Sequence, residues 1–455
     1  MHALSDRITD RSARIAIIGL GYVGLPLATA FARAGFRTIG VEVDQGKIDS
    51  IVAGRSYIPD VPDGDVAPHV QSGRLTATSD YDVLREIDAV FICVPTPYDA
   101  QRAPDLSYIR TASEGIRPRL SQGQLIVLQS TTYPGTTEEV VRPVLEESGL
   151  EAGVDFYLAF SPERIDPGNK QWSAYNTPKV VGGVTSECTQ LAADLLRQMG
   201  ALVHTVSSPR AAELTKLLEN TFRAVNIALV NELALLTERM GIDFWEVVEA
   251  AKTKPFGFMP FYPGAGVGGH CIPVDPYYLS WKAREYDYYT EFIELAGEVN
   301  QAMPYHVVDL VCQALSLRGK PLCDARVLVL GVAFKPGIDD ARNSPAERVI
   351  ELLLSRGARV RYHDPYVPHF WVGGDVFRRE KLALESVPLT KAEIAAADCV
   401  VIVTGHRCLD YGLVVEHADL VVDTCNVTAA ALGREDPSDA ELQRKIVRLG
   451  APLPC

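Results

Sequence analysis

No uninterrupted apolar run in this 455-residue sequence is long enough to cross a bilayer. Positive charge is also scarce: 44 Lys and Arg against 58 Asp and Glu leave a formal net charge of −14. That balance argues against nucleic acid or an anionic membrane as a partner, and an anionic substrate would need a local cationic pocket. The nine cysteines, at 93, 188, 271, 312, 323, 399, 408, 425 and 455, show neither metal-type spacing nor the even count of a disulfide framework. No metal site is expected, and a reducing cytoplasm suits such thiols best. Low-complexity tracts are missing too. What remains is the composition of an ordinary soluble protein, 47% hydrophobic and 22% charged, in a chain too long for one core. Two or three domains are expected. Residues 15–34 are apolar enough to imitate the core of a signal peptide, but their glycines and the arginines at 11, 14 and 33 fit a first strand and helix better.

The apolar run Ile15-Ala16-Ile17-Ile18 leads into Gly19-Leu20-Gly21-Tyr22-Val23-Gly24, a G-x-G-x-x-G, and a helix-like segment follows from Leu25 to about Ala34. A second run, Thr38-Ile39-Gly40-Val41, ends at Glu42. The glycines permit a tight turn and close approach of a pyrophosphate to the positive end of the helix. Glu42, 18 positions after Gly24, stands where a carboxylate accepts both hydroxyls of an adenosine ribose. The unit predicts a dinucleotide site, with NAD favoured because Glu42 and Asp44 would repel a 2′-phosphate.

Short apolar runs at Ala89–Val94, Leu125–Leu128 and Phe156–Phe160 read as buried parallel strands of a doubly wound sheet. Pro95-Thr96-Pro97, Ser130-Thr131-Thr132 and Ser161-Pro162-Glu163-Arg164 follow those strands, so all three should converge on one crevice at the carboxyl edge. From about Pro209 the pattern changes. Ala211 to Met240 reads as one long helix whose apolar face includes Leu214, Leu217, Leu218, Phe222, Val225 and Leu229. A second helical stretch, about Tyr289 to Leu317, should be interrupted near Met303-Pro304. Further on, Arg326–Gly331, Arg359–Tyr362, Cys399–Val403 and Leu420–Asp423 read as strands, with a helix at Pro345–Arg356. They predict a second α/β sheet, without the full glycine motif, that holds a different nucleotide.

Between the two long helical stretches lies a Gly- and Pro-rich loop from Pro255 to Pro276, containing Gly268-Gly269-His270-Cys271-Ile272-Pro273-Val274-Asp275-Pro276. A thiol that attacks carbon needs close approach, which glycines permit, and a base or thiolate character. The glycine-flanked Cys271, with Asp275 four residues on, is therefore a candidate nucleophile. A structural cysteine in a tight turn is the plain alternative.

Six motifs carry a resemblance to the UDP-glucose/GDP-mannose dehydrogenase superfamily, over Gly19 to about Asn426: GLGYVGLPLA at 19–28, VPTP at 94–97, SPER at 161–164, ELTKLLEN at 213–220, GGHCIPVDP at 268–276 and FKPGIDDARNSPA at 334–346. The resemblance implies an α/β fold with two Rossmann-like doubly wound parallel-sheet domains, 1–208 for NAD and 319–455 for a UDP-sugar. A helical central domain, 209–318, with a long connecting helix and the cysteine loop, joins them. It implies oxidation of a primary alcohol to a carboxylate with two NAD⁺, through a thiohemiacetal and a thioester on Cys271. Lys216 would face the developing alkoxide or act as acid/base, with Asn220 one helical turn on. Asp275 would position or activate water, Glu163 would assist thioester hydrolysis and Thr131 would hold a water.

The cofactor set it implies is Gly19, Gly21, Tyr22, Val23, Gly24, Glu42, Lys47, Pro95, Thr96, Thr131 and Arg342. The substrate set is Glu163, Arg164, Lys216, Asn220, Tyr262, Gly264, Gly268, His270 and Lys335, with Lys335 and Arg342 on the two sides of an interdomain cleft. Alternatively those two cations only pair with Asp339 and Asp340, and Glu163 and Arg164 form a surface pair. The glucose branch reads GGSCFPKD; His270, Ile272 and Val274 here, followed by YYLSWKARE at 277–285, resemble the UDP-N-acetylhexosamine branch, UDP-N-acetylglucosamine above all. UDP-glucose 6-dehydrogenase and the UDP-N-acetylmannosamine and UDP-N-acetylgalactosamine enzymes are the alternatives. A two-electron 3-hydroxyacid dehydrogenase would not need Cys271 or a third domain, and a silent nucleotide-sugar sensor would not need Cys271, Lys216 and Asp275. Family precedent also implies a homodimer or higher homo-oligomer.

Overall fold

The computed structural model describes residues 4–99, 103–166, 168, 169, 171–374, 378–431 and 444–453, so Cys455 falls outside it. The chain divides into two compact units. One comprises the residues up to Glu219 with Tyr277–Tyr289; the other comprises Asn220–Pro276 and the residues from Thr290 onward.

Among the described residues of the first unit, eight strands form one sheet: β1 (Arg14–Ile18), β2 (Arg37–Val41), β3 (Leu75–Thr78), β4 (Ala89–Ile92), β5 (Leu125–Leu128), β6 (Tyr157–Phe160), β7 (Lys179–Gly183) and β8 (Val203–Thr205). Their order is β3-β2-β1-β4-β5-β6-β7-β8. The strand order reverses between β1 and β4, the place where open α/β sheets bind ligands. β4 and β5 are buried at every residue, as expected for strands covered on both faces by helices. β6 and β7 depart from the expected all-parallel sheet by pairing antiparallel, with Phe160 opposite Gly182. A parallel return needs a crossover, usually a helix, and the described residues of the 161–178 connection contain no helix.

In the second unit, β9 (Arg326–Leu330), β10 (Arg359–His363), β13 (Cys399–Ile402), β14 (Val421–Asp423) and β15 (Ile446–Arg448) form a parallel sheet in the order β10-β9-β13-β14-β15. A short antiparallel ribbon, β11 (His369–Val372) with β12 (Leu382–Glu385), accompanies it. Val307, Val311 and Leu315 of the helix Glu291–Leu317 join Val349 and Leu353 of the helix Pro345–Ser355 in one core with Val327 and Val329 of β9.

The helix Glu291–Leu317 runs unbroken through Pro304, against the interruption expected there. Proline cannot donate to the carbonyl of Asn300. That carbonyl packs against Gly266, where a Cβ would stand only 3.1 Å from it. Burial of Met303, Pro304 and Val307 outweighs one lost hydrogen bond, since packing supplies most helix stability. The long helix spans Pro209–Met240. Leu217 is buried on it, but Leu214, Leu218, Phe222 and Leu229 are exposed, so the predicted apolar face is covered only in part by this chain. No described helix is long and apolar enough to cross a membrane.

Candidate active site

The carboxyl edge of β1, β2, β4, β5 and β6 carries the first unit's candidate residues. Three glycines shape the turn after β1, each for a different reason. Gly19 has φ +86°, and a Cβ there would lie 2.6 Å from the Cys93 carbonyl oxygen. A Cβ on Gly24 would overlap the Gly19 carbonyl at 1.8 Å. A Cβ on Gly21 would meet nothing within 4 Å, so the turn is open on that side to an approaching pyrophosphate. Glu42, at the end of β2, is mostly buried and accepts the Leu20 and Val43 N–H groups at 2.9 Å each. Its other contacts, from the Asp44 N–H at 3.3 Å and Lys47 Nζ at 3.4 Å, are long, and ribose hydroxyls could replace them. Tyr22 and Val23 are half-buried on the same turn. Tyr57, which local pattern did not mark, donates from Oη to the Leu20 carbonyl at 2.7 Å and props the turn. The fit to a dinucleotide is good.

The segments after β4, β5 and β6 do converge. Ser130 Oγ donates to the Val94 carbonyl at 2.8 Å, tying the β5 loop, with half-buried Thr131, to the β4 loop that carries Pro95 and Thr96. Tyr278 Oη donates to the Thr96 carbonyl. Glu163 is 6% exposed, and its partner is Lys179 rather than Arg164. Lys179 Nζ lies 2.9 and 2.8 Å from the two carboxylate oxygens. Gln129 Nε2 donates at 2.7 Å, and the Arg164 and Ile165 N–H groups at 2.8 and 3.0 Å. The antiparallel return produces this pair: three residues beyond Phe160 and three before Gly182 bring Glu163 opposite Lys179. Arg164 instead pairs with Glu219 at 2.6 Å and donates to the Pro178 carbonyl.

Lys216 and Asn220 stand four apart on the long helix, one turn along the same face. Lys216 is 8% exposed and, among the described residues, forms no ion pair. Glu213, one turn before it, is fully buried and receives the Thr137 N–H at 2.9 Å and hydroxyl at 2.7 Å. Burial pushes the Glu213 carboxyl up to about 7, against the lowering effect of its Gly135 and Thr137 donors. The ELTK string held the signal for Glu213: an acid three residues before a lysine shares its helix face.

In the second unit, Asn220 Nδ2 donates to Asp275 Oδ2 at 2.6 Å, and both side chains are buried. The Cys271 carbonyl accepts the Val274 and Asp275 N–H groups at 3.1 and 2.8 Å, holding the cysteine on the turn that opens the helix Asp275–Ala283. Cys271 is half-buried. The GGHC and FKPGIDDARNSPA motifs, 60-odd residues apart in sequence, are stitched together. Gly269, at φ +87°, donates to the Arg342 carbonyl at 3.1 Å, and Asn343 Nδ2 returns a bond to the Gly269 carbonyl at 3.0 Å. A Cβ on Gly268 would press on Phe334 at 2.8 Å. Arg342 forms the alternative pair with Asp340, at 2.6 Å, and also reaches His270 Nδ1 at 3.3 Å. Burial alone would raise Asp340; the bonds from Arg342 outweigh it and hold the carboxyl below its ordinary range. Lys335 is half-buried on the same loop.

Gly264 donates to Asn231 Oδ1 at 3.0 Å, and Asn231 donates to Asn300 Oδ1 at 2.9 Å, a buried amide pair under the loop. Tyr262 is 40% exposed, stacks on Trp245 and donates to Glu249 at 2.7 Å, so no bond ties its hydroxyl to the cysteine turn. Among the described residues no cluster of His, Cys, Asp and Glu could hold a metal.

Family models for the UDP-glucose/GDP-mannose dehydrogenase family match in three consecutive pieces: the NAD binding domain over residues 13–200, the central domain over 210–302 and the UDP binding domain over 328–430. The chain is 40% identical over 360 residues to the UDP-N-acetyl-D-glucosamine 6-dehydrogenase of Pseudomonas aeruginosa, covering 78% of this chain and 84% of that one. To the UDP-N-acetyl-D-mannosamine dehydrogenase of Pyrococcus horikoshii it is 37% identical over 395 residues, covering 86% and 89%. A solved structure of the UDP-D-ManNAc dehydrogenase from P. horikoshii superposes with a TM-score of 0.84 at 32% identity, over 96% of this chain and 99% of that one. The chain belongs to the UDP-glucose/GDP-mannose dehydrogenase family and is an NAD-dependent nucleotide-sugar dehydrogenase.

Proposed function

We propose that the enzyme oxidises the C6 primary alcohol of a UDP-N-acetylhexosamine to the uronic acid in two steps, with UDP-N-acetylglucosamine the preferred substrate. The observation that supports it most is the turn that presents Cys271, anchored through its carbonyl to Asp275, whose carboxylate is bonded to Asn220. NAD⁺ held at the glycine turn and Glu42 would supply the hydride acceptor for both oxidations. Lys216 meets the alkoxide that develops at the substrate oxygen. Cys271 Sγ adds to the aldehyde carbon, which prevents its release, and the second oxidation leaves a thioester. Glu163, a carboxylate that five N–H donors hold in place, and Asp275 orient the water that hydrolyses it, with Thr131 as a further water ligand. Lys335 neutralises the diphosphate, and Arg342 serves the cofactor. His270, fixed by Arg342, lines the sugar pocket with Gly268; Tyr262 and Gly264 border it. The three domains at 1–208, 209–318 and 319–455 divide these tasks.

We place the enzyme in the cytoplasm, where the eight described cysteines, none of them in a disulfide, remain reduced. We propose that a second copy of the chain covers the exposed Phe222, Leu229, Leu236 and Met240 of the long helix.

The substrate assignment is checked by comparing UDP-GlcNAc, UDP-GalNAc, UDP-ManNAc and UDP-glucose at equal concentration while following NADH. A sugar without the acetamido group leaves buried polar partners unpaired, about 1–3 kcal/mol per group, or about tenfold to a hundredfold in kcat/KM. UDP-glucose winning by tenfold would overturn the assignment and leave the chemistry standing. Two NADH per substrate identify the four-electron reaction; one would indicate a simple alcohol dehydrogenase.

Glu42 is proposed to accept the adenosine ribose hydroxyls. Glu42→Ala should narrow the preference for NAD⁺ over NADP⁺ by roughly 1–3 kcal/mol, read as the ratio of kcat/KM values. A wild-type preference for NADP⁺ would contradict the assignment.

A further inference from the structure

The second unit repeats, at its first strand pair, the layout that builds the glycine turn in the first. β9 runs into Gly331 at φ +80°, and the adjacent parallel strand β10 runs into an acid, Asp364. The counterparts are Gly19 after β1 and Glu42 after β2. The two acids end up differently. Asp364 Oδ2 accepts the Val332 and Ala333 N–H groups at 2.7 and 3.0 Å, and Oδ1 accepts those of Tyr366 and Val367 at 2.9 and 3.1 Å. A fifth donor is His406 Nε2, 3.0 Å from Oδ2. The side chains of Asp364 and His406 are both 0% exposed. A carboxylate has about four lone-pair sites, so none remains for a ribose hydroxyl. The acid that would read a nucleotide is consumed inside the protein.

Its partner links this buried acid to a loop. His406 Nδ1 accepts the Gly337 N–H at 3.1 Å. This bond sets the tautomer: the proton sits on Nε2 toward Asp364, and the Nδ1 lone pair points at Gly337. The main chain of His406 is pinned as well, its carbonyl accepting Tyr411 Oη at 3.1 Å and the Leu409 N–H at 3.2 Å. Gly337 is an exposed residue two positions after Lys335, on the loop that continues to Arg342. Buried carboxylate, buried imidazole and the main-chain amide of an exposed loop residue thus form one chain of bonds.

We propose that His406, locked by Asp364, is a positioning residue for the nucleotide-sugar: its bond to the Gly337 amide holds the loop at the angle that presents Lys335 to the diphosphate. The proposal rests on the reading of Lys335 as a diphosphate ligand.

Two variants separate the two bonds. His406→Asn places Oδ1 near the position of Nδ1 and keeps an acceptor for Gly337. His406→Gln places an amide nitrogen near the position of Nε2, keeping the Asp364 donor while leaving Gly337 without an acceptor. His406→Gln should raise KM for the UDP-sugar and Kd for UDP at least tenfold, with KM for NAD⁺ within twofold and kcat within threefold. His406→Asn should stay within threefold of wild type in all four. Equal losses of Tm in both variants with an unchanged UDP-sugar KM would overturn the proposal, as would a parallel rise in KM for NAD⁺. In a Lys335→Ala background the effect of His406→Gln should shrink to within twofold. If Lys335→Ala alone leaves UDP affinity unchanged, the reading of Lys335 fails, whereas a full His406→Gln effect persisting in that background refutes only the route through Lys335. Should neither variant fold, hydrogen exchange in the wild type decides. The Gly337 amide should exchange at least tenfold slower than an unprotected glycine, and exchange at the unprotected rate would overturn the latch.

Discussion

Cys271→Ala should reduce acid formation by about 10⁴-fold or more, the scale expected when a covalent nucleophile is removed from a catalytic set. NAD⁺ affinity and stability should stay near wild type. The cysteine is half-buried, and its carbonyl, which accepts the Val274 and Asp275 N–H groups, holds the turn through the main chain. Alanine keeps the backbone and Cβ and removes only the atom that traps the aldehyde. Cys271→Ser should retain slow turnover or stall as an oxygen ester, because a serine hydroxyl without its own base is the poorer nucleophile. The measurement is product acid by mass alongside NADH yield, with denaturation curves for both variants. Near-normal turnover in Cys271→Ala would refute the thioester route.

Lys179→Met should cost about 3–5 kcal/mol of stability, the usual penalty for leaving one member of a buried ion pair without its partner. Lys179 is 0% exposed and bonds both oxygens of Glu163 at 2.8 and 2.9 Å. Methionine fills most of the same volume, so the loss would be electrostatic rather than a cavity effect. The double variant Lys179→Met/Glu163→Gln should recover most of the stability, since no charge is then stranded, yet remain slow in thioester hydrolysis. Urea unfolding of the single and double variants separates the two effects. A Lys179→Met protein within about 0.5 kcal/mol of wild type, the range of an ordinary surface substitution, would show that the pair does not hold the Glu163 loop.

The elements that local rules write were legible without coordinates. Gly19, Gly21 and Gly24 occupy positions where a Cβ would collide or block an approach, and Glu42 closes a short apolar strand. β5 lies where its apolar run predicted, and the long helix begins two residues earlier than read. The interruption at Pro304 was misjudged because a propensity rule counts one lost hydrogen bond and cannot count the burial around it. β11 and β12 went unread because short alternating strands resemble loops, and β15 is only three residues long.

By itself the sequence determined which chemistry-bearing residues exist and which local turns present them: the cysteine turn, the glycine turn, and the Lys216 and Asn220 face of one helix. Partnerships were decided only in three dimensions. Glu163 could have paired with its neighbour Arg164; the antiparallel return of β7 gave it Lys179, 16 residues away. Asn220 meets Asp275 across 55 residues, and His406 meets Asp364 across 42 and Gly337 across 69. The physical reason is that a buried charge or amide must find donors and acceptors wherever the packed chain supplies them. Strand direction and loop path set that supply, and neither is encoded by the residues next to the group.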